Sequence, residues 1–291
     1  MSWRTVVVTK TSKLDLSLGY MVVRDAESTS KIHISEISIL IVESTSVSMT
    51  AALLSALVKD KIKVIFCDEK RNPSFEITPY YGSHDCSLKI KRQIAWDETV
   101  KKQIWTYIVA EKIKNQASVL RHYDSDKAAM LDKYIAELEF SDATNREGHA
   151  AKVYFNALFG MDFSRNSESP VNAALNFGYS LILSAFNREI VTSGYLTQLG
   201  LFHDNMFNQY NLSCDLMEPF RPIIDKYVKS AGITSFGKDE KQGLLNLLNA
   251  EFTIDGCKNT LLNTIKIYTK SVFSALDSDN ASLICFFQDE L

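Results

Sequence analysis

The sequence predicts an α+β chain: a small β-rich N-terminal domain followed by a larger all-α C-terminal domain. Three observations carry that expectation. The first ~75 residues show period-2 alternation of apolar and polar side chains. Beyond residue 88 the apolar spacing becomes helical and stays so to the C-terminus. Between the two lies a cluster of Pro73, Pro79 and Gly82 with Tyr80 and Tyr81, which reads as a linker. The boundaries expected are 1–78 for the β-rich domain, 79–87 for the linker and 88–291 for the helical domain.

Along the first domain, Thr5 to Thr9 is a β-branched run. Leu14, Leu16 and Leu18 alternate with Asp15, Ser17 and Gly19. Asp25 to Ser30 is turn-rich, and Ile32 and Ile34, then Ile37, Ile39 and Ile41, alternate again. Leu53, Leu54, Leu57 and Val58 repeat at helical spacing behind a Ser/Thr-rich entry able to cap a helix. A short strand, Lys63 to Cys67, follows. In the second domain, Leu88 to Tyr123 forms one long helix or two. Further helices are expected at 126–139, 147–160, 170–193, 195–209, 215–230, 239–250 and 258–276. Glu251 to Lys258 interrupts them as a hairpin turning at Asp255-Gly256.

The bulk composition is that of an ordinary globular protein. Of 291 residues, 46% are hydrophobic and 23% charged, and the mean hydropathy is −0.08. A net charge of −3 excludes a uniformly basic nucleic-acid binder, so any DNA binding must come from local patches or a partner. The N-terminus lacks the apolar core of a signal peptide, and no apolar run is long enough to span a bilayer. Cys67, Cys86, Cys214, Cys257 and Cys285 are odd in number and form no C-x-x-C, which argues for reduced, mostly buried thiols in a cytoplasmic protein. P-loop, G-x-G-x-x-G and G-x-S-x-G motifs are all absent.

The residues able to carry chemistry are acids and one imidazole in three separate segments. Glu147 lies in N-R-E-G-H-A-A-K at the start of the apolar stripe Ala150, Ala151, Tyr154, Phe155, Leu158 and Phe159. His203 lies in G-L-F-H-D-N, read as the end of an apolar helix. Asp215 and Glu218 lie in C-D-L-M-E-P-F-R-P, three apart and so on one helix face. Each has an ordinary structural use as well, in helix-start electrostatics or as a helix cap. Brought together, carboxylates and an imidazole bind a divalent cation with open positions, and oxygen-rich ligation favours Mg2+ or Mn2+ over zinc. From Lys89 to Arg121 eight basic residues stand against three acids, with Trp96, Trp105 and Tyr107 interleaved. That pattern fits either a solvated helix face or a face tracking phosphates. Arg146, Lys152, Arg221 and Lys226 flank the acids and are the candidate DNA contacts.

Taken in order, N-R-E-G-H-A-A-K-V-Y-F, the segment Ser169 to Leu183, G-L-F-H-D-N and C-D-L-M-E-P-F-R-P-I-I-D resemble the CRISPR adaptation integrases, the Cas1 family, in its shorter type II branch. The resemblance spans nearly the whole chain, including the β-then-α order. It implies that Glu147, His203 and Glu218 are the catalytic metal ligands, for Mg2+ or Mn2+, with Asp215 an auxiliary acid. Relatives often carry aspartate where this chain has Glu218. The resemblance also implies a β domain that forms a homodimer, two such dimers around one dimer of a small partner, Cas2, and double-stranded DNA as substrate. The implied activity is insertion of short prespacer duplexes into the CRISPR repeat by 3′-OH attack, with endonuclease cleavage as a side reaction. A structure-selective nuclease of branched DNA and a non-catalytic DNA-binding scaffold are the alternatives.

Overall fold

A computed structural model describes residues 4–77, 79 and 83–288. The chain falls into two compact units, Met1–His84 and Asp85–Leu291. Thr78, Tyr80, Tyr81 and Gly82, on which much of the expected linker rests, lie outside the described residues.

The first unit comprises β1 (Arg4–Val8), β2 (Ser12–Ser17), β3 (Tyr20–Arg24), β4 (Thr29–His33), β5 (Ile37–Val42), β6 (Val47–Met49), α1 (Ala51–Lys59), β7 (Lys63–Cys67) and β8 (Pro73–Ile77). They form two four-stranded sheets, ordered β1-β5-β7-β8 and β4-β3-β2-β6. All six residues of β5 are buried, so the strand is not half-exposed as its alternation suggests. It is flanked on both sides by parallel strands, and central parallel strands are covered on both faces. Leu18 leaves the alternating pattern too. It is 94% exposed. With Gly19 it forms the two-residue turn between β2 and β3, both at positive φ (50° and 80°). Pro73 opens β8, which pairs antiparallel with β7, so the linker does not begin there. Thr50 caps α1 by accepting from the Leu53 amide, and Leu53 and Leu57 join Leu14, Met21, Ile37, Leu40 and Val64 in the core.

The second unit comprises α2 (Cys86–Ile94), α3 (Glu98–Arg121), α4 (Ser125–Ala136), α5 (Arg146–Phe159), α6 (Pro170–Thr192), α7 (Asn211–Met217), α8 (Arg221–Ser230), α9 (Lys238–Asn246), the hairpin β9 (Glu251–Ile254) and β10 (Cys257–Thr260), and α10 (Leu261–Asp277). The 88–123 stretch is thus two helices. Asp97 makes the break by accepting from the Thr99 and Val100 amides as the cap of α3. Asp255 and Gly256 turn the hairpin at positive φ, so this unit is predominantly rather than wholly helical. Gly178 of α6 has a packing reason: a β-carbon there would sit 2.4 Å from Ile224 Cγ2 of α8.

The expected helix at 195–209 is absent; the segment is a series of turns and bends. Gly194 ends α6 at φ 90°. Side chains then take the backbone groups a helix would have paired. Thr197 donates to the Gln209 carbonyl, Asn211 to those of Gln198 and Asn205, and Asp215 accepts from the Leu201, Phe202 and His203 amides. Similarly, 215–230 is not one helix. Pro219 lacks an amide proton, and Glu218–Phe220 forms a 3-10 turn between α7 and α8. Of the cysteines only Cys67 is buried, and Cys257 is exposed, contrary to the expectation of mostly buried thiols. Among the described residues, no helix is long and apolar enough to cross a membrane.

Candidate active site

Each candidate ligand is presented by a local structure that the neighbouring sequence dictates. Glu147 sits in the first turn of α5. The turn before it holds three non-glycine residues at positive φ, Ser141, Asp142 and Asn145. That strained bend is held by two polar anchors. Thr106 Oγ1 of α3 accepts from the Ser141 amide at 2.8 Å, and the Asp142 carboxylate accepts from the Arg146 and Glu147 amides at 2.6 and 3.1 Å. Asp142 therefore satisfies the open end of α5 and leaves the Glu147 side chain to point elsewhere.

Glu218 sits in the 3-10 turn between α7 and α8, 3% exposed. Asn115 of α3 fastens that turn by donating to the Pro219 carbonyl at 2.9 Å. His203 sits in the 195–210 loop. Its geometry is set by Asp215, which is fully buried on α7. Asp215 Oδ2 accepts from the Leu201 and Phe202 amides at 2.6 and 3.1 Å. Asp215 Oδ1 accepts from the His203 amide at 3.2 Å and meets His203 Nδ1 at 2.5 Å. Gly200 is obligatory at this crossing, because a β-carbon would stand 2.3 Å from the His203 carbonyl oxygen and 2.8 Å from Asp215 Oδ2. Trp105 of α3 completes the support, stacked on Phe202 at 4.5 Å and edge-on to the imidazole at 5.8 Å.

Lys112 of α3 joins the two acids. Its ammonium lies 2.5 Å from Glu147 Oε1 and 2.5 Å from Glu218 Oε2. Arg221 Nε meets the other Glu218 oxygen at 3.0 Å. Burial by itself would push the Lys112 pKa down, but the Glu218 and Glu147 carboxylates hold it above its ordinary value. Burial would likewise raise Glu218, and the Lys112 and Arg221 cations override it, holding that carboxyl below the usual range. The hydrogen bond to Asp215 raises the pKa of His203 against the opposing effect of its partial burial, with Glu218 and Glu147 adding to the rise.

The two acids thus converge, and the imidazole lies within their field. Among the described residues, no three His, Cys, Asp or Glu side chains form a ready metal cage, since an ammonium stands between the carboxylates. The donor set nevertheless fits a hard divalent cation. Glu218 Oε2 is buried and lacks a well-formed hydrogen bond although the ammonium is close. A spherical ion makes no such directional demand. With Nδ1 bound to Asp215, the His203 lone pair is placed on Nε2, the arrangement that orients imidazole ligands of metals. Asp215 orients His203 through its Oδ1 contacts with the backbone amide and the ring.

The expected DNA contacts fall into different settings. Lys152 is exposed on α5 and Lys226 half-buried on α8. Arg146 pairs with Glu137 at 3.0 Å and lies over the Tyr134 ring, while Arg221 is engaged by Glu218. The Lys89–Arg121 run is divided between α2 and α3, and its residues have mixed settings. Trp96 and Trp105 are buried. Lys101, Lys114 and Arg121 pair with Glu98, Glu111 and Asp132, and Lys89 and Arg92 approach Asp277. A cavity of ≈ 500 Å³ opens beside His203, lined by Trp96, Lys101, Lys102, Ser141 and Phe202. Sequence reasoning missed Lys112, Asp142 and Asn115 as site residues. The available signal for Lys112 was its place seven residues after Trp105 and four after Ile108, on the buried stripe of α3.

Residues 5–245 match the family described as CRISPR associated protein Cas1. A CRISPR-associated endonuclease Cas1 of Neisseria meningitidis serogroup C (strain 8013) is 37% identical over 226 residues, covering 77% of this chain and 74% of that protein. Among solved structures, a casposase bound to integration product matches with a TM-score of 0.77 at 18% identity, over 96% of this chain and 92% of the other. A chain of a Cas6-RT-Cas1--Cas2 complex matches with a TM-score of 0.77 at 18% identity, over 99% of this chain and 36% of that chain.

Proposed function

Because the chain belongs to the Cas1 family, we propose that it is a CRISPR integrase and endonuclease that rearranges DNA phosphodiesters at Glu147, His203 and Glu218. The observation that carries this reading is the convergence of Glu147 and Glu218 on one buried cationic position, with an imidazole oriented beside it by Asp215. Glu147, Glu218 and His203 Nε2 would hold Mg2+ or Mn2+. That ion would polarise the scissile phosphate and offset charge in the transition state.

The chain's own residues supply the rest. Asp215 fixes the imidazole, and Arg221 holds Glu218 in place. The attacking group is the 3′-OH of a captured duplex, directed at a phosphodiester at each end of the repeat, so no serine or cysteine nucleophile is needed. In-line positioning and charge neutralisation provide the rate. Water in place of the 3′-OH gives strand cleavage. Lys101 and Lys102 line the cavity next to His203 and are suited to meet a phosphate backbone there.

The β-rich unit is taken to form the homodimer, and two homodimers to flank one Cas2 dimer. A structural match drawn from a Cas1–Cas2 complex supports that partnership. The protein is taken to act in the cytoplasm, on prespacer and repeat DNA.

Reversibility offers a test. The purified chain is incubated with Mn2+ and a three-way branched DNA mimicking a half-integrated product, beside Glu147→Ala. Release of the flap together with rejoining of the target strand, lost in the variant, is expected. Release without rejoining would favour a nuclease of branched DNA, and activity surviving in Glu147→Ala would refute the site.

A further inference from the structure

Lys112 is a basic residue in the wrong surroundings for substrate binding. It is 7% exposed, and its ammonium faces inward, 2.5 Å from each of two carboxylates on different elements. Two acids meet here, Glu147 and Glu218, and Glu218 is almost completely buried. Converging carboxylates repel, so a fold that gathers them before any ion binds needs a counter-charge of its own. Lys112 and Arg221 provide it.

The distribution of that counter-charge is specific. Glu218 Oε1 is engaged by Arg221 Nε at 3.0 Å and Oε2 by Lys112 Nζ at 2.5 Å, so both of its oxygens are occupied by cations. Arg221 opens α8, three residues after Glu218. Lys112 comes from another helix and, among the described residues, is the one cation that bridges Glu218 to Glu147. Its ammonium lies equally close to both carboxylates. A four-carbon side chain with rotatable bonds can leave such a contact without moving α3.

We propose that Lys112 is an internal surrogate for the catalytic cation: its ammonium occupies the position between Glu147 and Glu218, holds the two carboxylates together, and must withdraw before a divalent ion can take both of them. This inference rests on the metal-site reading and adds an exchange step to it. Metal affinity is then set by competition with a tethered ammonium as well as by the ligands. Charge at the centre rises by one when a divalent ion replaces the ammonium, which favours an anionic phosphodiester arriving next. Lys112 acts through the two carboxylates and is a positioning residue.

The test is metal binding by the full chain, read by calorimetry with Mn2+ and by melting with and without chelator. Wild type, Lys112→Met, Lys112→Gln and Glu218→Gln are compared. Both Lys112 variants are expected to bind Mn2+ tighter than wild type, on the order of tenfold or more. Their metal-free melting temperatures should fall, and Mn2+ should raise them by more than it raises wild type. A variant that folds only with Mn2+ present gives the same answer in stronger form. Equal or weaker Mn2+ binding in both variants, or failure to fold with and without Mn2+, overturns the proposal. Failure of the underlying metal site looks different: no Mn2+ bound by any of these proteins, or Glu218→Gln binding like wild type.

Discussion

Asp215 accepts from three backbone amides and the His203 imidazole while fully buried, which makes it the organiser of the 200–203 loop. Asp215→Asn keeps the shape but replaces an acceptor with a donor facing donors. It is expected to lower Mn2+ affinity about 10- to 100-fold and to cost roughly 2 kcal/mol or more of stability, measured by calorimetry and denaturant unfolding. Asp225 is a second buried acid, 1% exposed, which accepts from the Tyr179 hydroxyl. Burial pushes its pKa up from the usual carboxylate range to about 6. Between roughly pH 4 and that value the folded carboxyl keeps a proton that the unfolded chain releases. Stability contributed by Asp225 therefore falls as pH rises through that window. Asp225→Asn retains the acceptor for Tyr179 and is expected to remove this slope, gaining on wild type in melting temperature as pH rises from 4 to 7. The sequence singles out these acids as candidates, but it does not show their partners. Nothing in D-L-M-E-P reveals that Asp215 turns to a loop and Glu218 to a lysine on α3.

Helix starts and breaks follow from short-range chemistry. Ser169 caps α6 with Pro170 in its first turn, Asp97 caps α3, and Pro219 interrupts α7 and α8. The segment 195–209 shows the converse. Its apolar spacing suggested a helix, yet Asn211, Thr197 and Asp215 supply competing partners for its backbone, two of them from beyond its own span. Helix packing is equally non-local. Gly178 looks like a weak point in a good helix, and its purpose is the approach of Ile224. Gly178→Ala raises intrinsic helix propensity but overpacks the α6–α8 contact. The expected net result is destabilisation of about 1–3 kcal/mol, seen as a lower denaturant midpoint at unchanged slope.

At the scale of the molecule, the proposed function makes charge decide how DNA is held. The chain carries 32 Lys and Arg against 35 Asp and Glu, and much of its central basic run is engaged by acids. Affinity for duplex DNA should then depend on the exposed remainder. Lys152→Ala is expected to reduce the slope of log affinity against log salt by about 1. Arg121→Ala, which removes a side chain committed to Asp132, should leave the slope nearly unchanged. Fluorescence anisotropy over a salt series measures both. The division into a β-rich and a mainly helical part and the hairpin at Asp255-Gly256 were determined by the sequence itself. Those features arise from periodicity and turn chemistry within a few residues. The bridge from Lys112 to Glu147, 35 residues away, and on to Glu218, and the hold of Asp215 on His203, were decided only by tertiary structure. A buried charge takes whichever opposite charge the packing of helices delivers, and no local pattern encodes that choice.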